Sequence, residues 1–306
     1  MRMHITGGDQ GRLGRSLRPA AITATVVVGL ALVVGAQAET PIGRRVGEPM
    51  VVPMTVTSSE RAATLARAAA LAADLGIPGT AGRSARTFHV ADLRVVDETE
   101  LTDARGRPVA VVRTDDRGAL RSIVRLDWTA ATGQPLVDQA TAAGHARRQA
   151  RMGGLTVPTS LPGVSWDAAM DAWRVEWRRR IDGAVALGDG LTVWIHRGGQ
   201  LAALRRSETA TAAAPLELVE ASAAAEAARA WVDRRGGAPA APLVAPELVW
   251  VRPNDFVGRG GADDTDALMR LAYRVDLTLT LPGGSHRVAL FVDAGSGLVI
   301  AGAESA

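Results

Sequence analysis

The side chains with most chemistry to offer lie on one short run, Trp173-Arg174-Val175-Glu176-Trp177-Arg178-Arg179-Arg180-Ile181. Side chains alternate across a strand. As a strand, the run puts Trp173, Val175, Trp177 and Ile181 on one face and Arg174, Glu176, Arg178 and Arg180 on the other. A basic stripe with a nearby aromatic suits an acidic peptide or an envelope polymer. Trp194 is the candidate aromatic, because Thr192, Trp194 and His196 alternate with Leu191, Val193 and Ile195. The partner-binding stripe is therefore Arg174, Glu176, Arg178, Arg180 and Trp194. The competing reading is a solvent face with Arg–Glu cross-pairing, common in antiparallel sheets. Aligning turn glycines also sets Trp194 level with Val292, an apolar position, which argues for burial.

Other chemistry is sparse. His89, His145, His196 and His286 are scattered, with no second His at ligand spacing. Asp263, Asp264 and Asp266 offer oxygens to calcium, but their spacing fails the EF-hand pattern and reads as a solvated loop. There is no HExxH helix and no GxSxG elbow. The absence of Lys removes Walker and Schiff-base chemistry, and the absence of Cys removes thiol chemistry and Cys–zinc sites. Gly258-Arg259-Gly260-Gly261 is too short for a dinucleotide fingerprint. No catalytic, cofactor-binding or metal-ligating residue is assigned, and no cofactor is expected.

The elements that must carry these residues begin with an address. Arg2, Arg12, Arg15 and Arg18 precede the apolar run Ala20 to Val34, and Ala36-Gln37-Ala38 supplies small residues for cleavage. Residues 1–38 read as a secretory signal peptide cut after Ala38. The apolar run is short for a span of about 20 residues, and no later stretch is long enough to cross a membrane. Removing the leader leaves 31 basic and 31 acidic residues, so the mature chain is formally neutral and no nucleic-acid partner is expected. Localisation is extracytoplasmic, in the periplasm or outside the cell. Without cysteines the exported chain must be held by packing alone.

Three apolar strands each run into a Gly-bearing turn that opens another strand: Arg117-Gly118-Ala119-Leu120, Gly198-Gly199-Gln200-Leu201 and Ser296-Gly297-Leu298-Val299. This repetition predicts three copies of one small unit. Residues 39–56 form an extended lead-in. The first unit, 57–128, opens on the capping-box spacing Thr57/Glu60 with a helix stripe Leu65, Ala68, Ala69, Ala72 and Leu75. Strands at Thr87–Val96, Pro108–Arg113 and Ala119–Leu126 follow. The second, 136–206, has the stripe Leu136, Ala140, Ala143, Ala146 and Ala150, a Pro-containing loop, and strands at Ala172–Ile181, Leu191–His196 and Gln200–Arg205. A linker, 207–217, leads to the third, 218–303. Its helix, Val219–Arg234, has Val219, Ala223, Ala227, Ala230 and Trp231 facing inward. Its strands are Glu247–Val251, Leu271–Leu281, Arg287–Asp293 and Leu298–Ala301. One helix must cover one face of each antiparallel meander, an α+β layout.

On these residues the chain resembles PepSY domains and the pro-regions of secreted thermolysin-like metalloproteases. Leu271-Ala272-Tyr273-Arg274-Val275-Asp276-Leu277 followed by Phe291-Val292-Asp293-Ala294-Gly295-Ser296-Gly297-Leu298-Val299-Ile300 carries the clearest likeness. Trp173 to Gly183 and Asp189 to Ile195 are similar to YcdB-like repeats, and the first unit is a weaker copy. No protease domain is expected after Ala306, a departure from those pro-regions. The resemblance implies tandem PepSY-like modules and a non-enzymatic exported binding protein that inhibits or chaperones an extracytoplasmic peptidase. The alternative is a structural or interaction module of the cell envelope with no protease partner.

Overall fold

A computed structural model describes residues 51–89, 94–127, 136–234, 238–239, 242, 244–255, 268–281 and 284–304. The leader, the Gly258–Gly261 run and Asp263, Asp264 and Asp266 lie outside them. All the described residues fall in one compact unit, Pro41–Ala306.

Strand β1 (Val51–Met54) precedes helix α1 (Ser58–Asp74), followed by β2 (Thr80–His89), β3 (Arg94–Thr102), β4 (Pro108–Asp115) and β5 (Leu120–Arg125). Then come α2 (Gln139–Met152), β6 (Gly163–Asp167), β7 (Ala172–Ile181), β8 (Ala184–His196) and β9 (Leu201–Ser207). Last are α3 (Ala221–Asp233), β10 (Ala238–Pro239), β11 (Glu247–Val251), β12 (Arg270–Leu281), β13 (Gly284–Asp293) and β14 (Val299–Glu304). The fold is α+β, with one large mixed sheet.

Local chemistry sets the helix starts. The Thr57 side chain accepts from the Glu60 N–H while Glu60 accepts from the Thr57 N–H, closing the capping box. Asp138 caps α2 through the Thr141 N–H at 2.7 Å. Each helix lays alanines four apart on the sheet: Ala68 and Ala72, then Ala142, Ala146 and Ala150, then Ala224 and Ala228. The second stripe predicted from sequence holds at Ala146 and Ala150 but fails at its start, and the third is out of phase. Leu136 and Ala140 are exposed, as are Ala223 and Ala230. In helices this rich in Ala, hydrophobicity barely distinguishes the faces, so the pattern cannot fix the rotation.

The sheet runs β1-β2-β3-β4-β5-β9-β8-β11-β12-β13-β14, with β7 and β6 branching from β8 and β10 from β12. The meander β2–β5 joins the meander β6–β9 through β5 and β9, paired antiparallel at Ser122↔Arg205, Ile123↔Leu204 and Val124↔Ala203. The helices α1 and α2 share one core over this joint, which includes Leu101, Val112, Ile123, Trp177, Val193 and Leu204. Strand β8 also carries β11, in parallel, at Val185 and Ala186. A second core lies between α3 and the strands β12 and β13. A third, built around Phe291, Ala289 and Val251, lies on the other face of those strands.

Several strands differ from the sequence expectation. The single strand Thr87–Val96 is the junction of β2 and β3, which pair at His89↔Arg94. The Pro-containing loop before Ala172 contains β6, and part of the lead-in forms β1. The segment after β9 is bound at several points. Asp189 accepts from the Thr209 N–H (2.6 Å), the Thr209 hydroxyl (2.9 Å) and the Ser207 hydroxyl (2.8 Å). Further on, Met269 donates its N–H to Ala210 and accepts from the Ala212 N–H.

Three hairpins close their meanders in the same way. Gly118, Gly199 and Gly297 have φ of 78°, 88° and 69°. Three residues beyond each glycine the ladder skips one residue: Arg121, Ala202 and Ile300. A residue that receives turn N–H groups opens each loop: Asp115, His196 and Asp293. The third loop is one residue longer, so Trp194 corresponds to Phe291 and not to Val292. Both pair with the residue four past the glycine, Trp194 with Ala203 and Phe291 with Ala301.

Candidate functional site

Strand β7 positions the stripe, and its neighbours decide what the stripe presents. Trp173, Val175 and Trp177 point to the helices. Val175 and Trp177 are buried, the Trp173 Nε1 donates to the Val137 carbonyl at 2.9 Å, and the Arg147 guanidinium lies over the Trp177 ring at 5.5 Å. Ile181 packs instead in a separate small cluster with Trp250 and Met269. The ladder between β7 and β8 is interrupted between Arg178 and Arg180, which separates Arg180 from the other stripe residues. Arg180 Nη1 donates to the Gly183 carbonyl at 2.7 Å.

On the outer face, the Glu176 carboxylate lies between two guanidinium groups, 3.3 Å from Arg174 and 3.7 Å from Arg178. Arg174 and Glu176 are about three-quarters buried, whereas the Arg178 side chain is 61% exposed. Trp194 is opposite Arg174 on this same face. It is not an exposed platform. It is 4% exposed, and its Nε1 donates to Asp167 Oδ2 at 3.0 Å. Of the five residues expected to form the stripe, the structure brings together Arg174, Glu176 and Arg178. It buries Trp194 beside them and sets Arg180 apart.

The missing member of the site is β6, the edge strand. It pairs with β7 at Gly163↔Glu176, Val164↔Val175, Ser165↔Arg174 and Trp166↔Trp173. Gly163 and Ser165 are small and exposed, so nothing bulky separates Arg174 and Glu176 from the edge. On the helix side of the same edge, Trp166 is 41% exposed and meets Trp173 edge-to-face at 5.4 Å. The alternation of Val164 and Trp166 with small polar residues is a strand signal. The prolines before it, Pro158 and Pro162, mask that signal by reading as loop.

The turn from β6 to β7 is locked electrostatically. Asp171 adopts φ 45°, a left-handed conformation that Asp tolerates better than most residues. Arg197 pairs with it through two N–H groups and lies over the Trp166 ring at 5.7 Å. His196, 4% exposed, places Nε2 3.4 Å from Asp171 Oδ2. The Arg197 hydrogen bonds hold the Asp171 carboxyl below the usual carboxylate range. This His, Asp and Arg cluster fixes the end of the β6 edge.

The other histidines stand apart from it. His145 Nδ1 is 2.8 Å from the Gly199 carbonyl and so donates to it, tying α2 to the closing turn of β8 and β9. His89 ends β2 and His286 is exposed on β13. Among the described residues no group of three or more His, Asp or Glu is placed to hold a metal ion. No described helix is long and apolar enough to cross a membrane.

No family model and no curated protein matches the chain. Among solved structures it is similar to the Bacillus megaterium YpeB C-terminal domain. The identity is 10% and the TM-score 0.43, over 82% of this chain and 98% of that one.

Proposed function

We propose that the chain is an exported PepSY-like binding protein. Its β6 edge takes up an extended segment of an extracytoplasmic peptidase or peptide, as an inhibitor or a chaperone-like regulator. The observation that carries this reading is the composition of that edge: small Gly163 and Ser165 beside the Arg174, Glu176 and Arg178 stripe, with Trp166 on the opposite face. An added strand gains main-chain hydrogen bonds from an edge and selectivity from the side chains on either face. The two arginines around one carboxylate favour a segment carrying an acidic residue. The three alike closing hairpins support division into PepSY-like modules at 57–128, 136–206 and 218–303. Export rests on the leader 1–38.

A crosslinking pull-down tests the reading. Residues 39–306 serve as bait against the source organism's extracytoplasmic fraction, with Arg178→Glu as the matched control. The expected result is recovery of a peptidase that falls at least several-fold with Arg178→Glu. Equal recovery by both baits removes the stripe from the reading. Recovery of envelope polymer alone, or of nothing, overturns the reading in favour of a structural envelope module.

A further inference from the structure

The joint between β5 and β9 is a local two-fold. Each is the last strand of its meander, entered through an equivalent glycine turn. Ile123 and Leu204, each five residues past its glycine, face one another. Ser122 and Ala203, each four past, pair with Arg205 and Val124, each six past. The fold has therefore solved the same problem from both sides, closing one open edge with its own equivalent.

Strand β14 is the third equivalent, and it stands at the end of the sheet, paired with β13 alone among the described residues. The residue two past the glycine records the difference. Leu120 and Leu201 are 2% and 3% exposed inside the shared core. Their counterpart Val299 is only partly buried, and Leu298 beside it is 61% exposed.

We propose that a second copy of this chain closes the β14 edge, antiparallel and two-fold, as β9 closes β5. The register follows from the internal joint. Gly302, five past its turn glycine, lies opposite Gly302 of the partner subunit, and Ala301 lies opposite Ala303 of the partner subunit. The sequence suits this symmetry. The centre Ala301-Gly302-Ala303 is small and uncharged, so two strands meet without steric or charge conflict. The sole charged residue of β14, Glu304, stands at the end of the strand, away from this centre. The edge has no Pro and no Lys, and its one safeguard, the bulge at Ile300, is shared by β5 and β9, which pair nonetheless. An isologous interface of this kind is the commonest route to a closed dimer. It uses an edge distinct from β6 and does not depend on what β6 binds.

Sedimentation of the purified protein, with and without Val299→Lys, tests the proposal. The wild type is expected to be a dimer and the variant a monomer, while Val52→Lys on the β1 edge remains a dimer. The chain has no cysteine, so Leu298→Cys accepts one spin label per copy. With a rise of about 3.3 Å per residue the two labelled positions are expected on the order of 25–30 Å apart, a readout that stands even if Val299→Lys fails to fold. A wild-type monomer overturns the proposal. So does a dimer whose label distance lies outside that range, or one that survives Val299→Lys in a folded state.

Discussion

Asp171 and Asp293 each hold a hairpin together as carboxylates, and both have lowered proton affinity. For Asp171 the Arg197 hydrogen bonds are the main cause. For Asp293, burial alone would raise the group, but the Ser296 N–H and hydroxyl, the Arg270 charge and the Gly295 N–H together outweigh it. A carboxyl that binds protons less readily when folded stabilises the fold above the ordinary carboxylate range. That contribution is lost as pH falls through the folded value. The melting temperature is therefore expected to drop on acidification below that range. Asp293→Asn is expected to melt lower at neutral pH but to lose less on acidification, a difference that parallel thermal scans resolve. Alternation alone made it legible that Trp194 shares a face with Arg174. The turn alignment already argued for its burial; what was not legible is its partner Asp167 at the end of β6, a strand hidden behind prolines.

At the scale of elements, the hairpins were easier to read than the helices. A turn needing positive φ selects Gly sharply, and at Gly199 a side chain would also meet the His145 ring at 2.9 Å. The run Ala172–Ile181 and the turn at Asp182 and Gly183 were likewise plain, since apolar and charged residues alternate along the strand and both turn residues take positive φ. Helix rotation was not, because Ala on every face carries little contrast. The structure makes a discriminating expectation possible. Ala142, which the stripe expected from sequence leaves out, is fully buried against the sheet, and Ala140, one of the residues expected from sequence to face inward, is exposed. Ala142→Leu is expected to cost about 1–3 kcal/mol by overpacking. Ala140→Leu is expected to stay within about 0.5 kcal/mol of the wild type. Denaturant titration of the two variants checks the rotation of α2 directly.

Across the whole molecule, the first two meanders share a core that the sequence pattern assigned to separate units. Spacing and composition reveal where units begin, but pairing between strands far apart in the chain leaves no local trace. The residues that meet at the joint, Ile123 and Leu204, are about 80 positions apart. A fragment spanning residues 57–127 would carry β5 without β9, leaving Leu120 and Ile123 without their cover. It is expected to self-associate in light scattering, and a fragment extended to residue 207 is expected not to. A monodisperse short fragment would show that the joint contributes little. The same joint bears on synthesis. While the ribosome is still making the chain between β5 and β9, the nascent protein displays a finished strand with one open side. Nothing encoded before Leu201 supplies its native cover, so the interval before β9 emerges is when the polypeptide is most exposed to sticking, and when a holding chaperone would matter most.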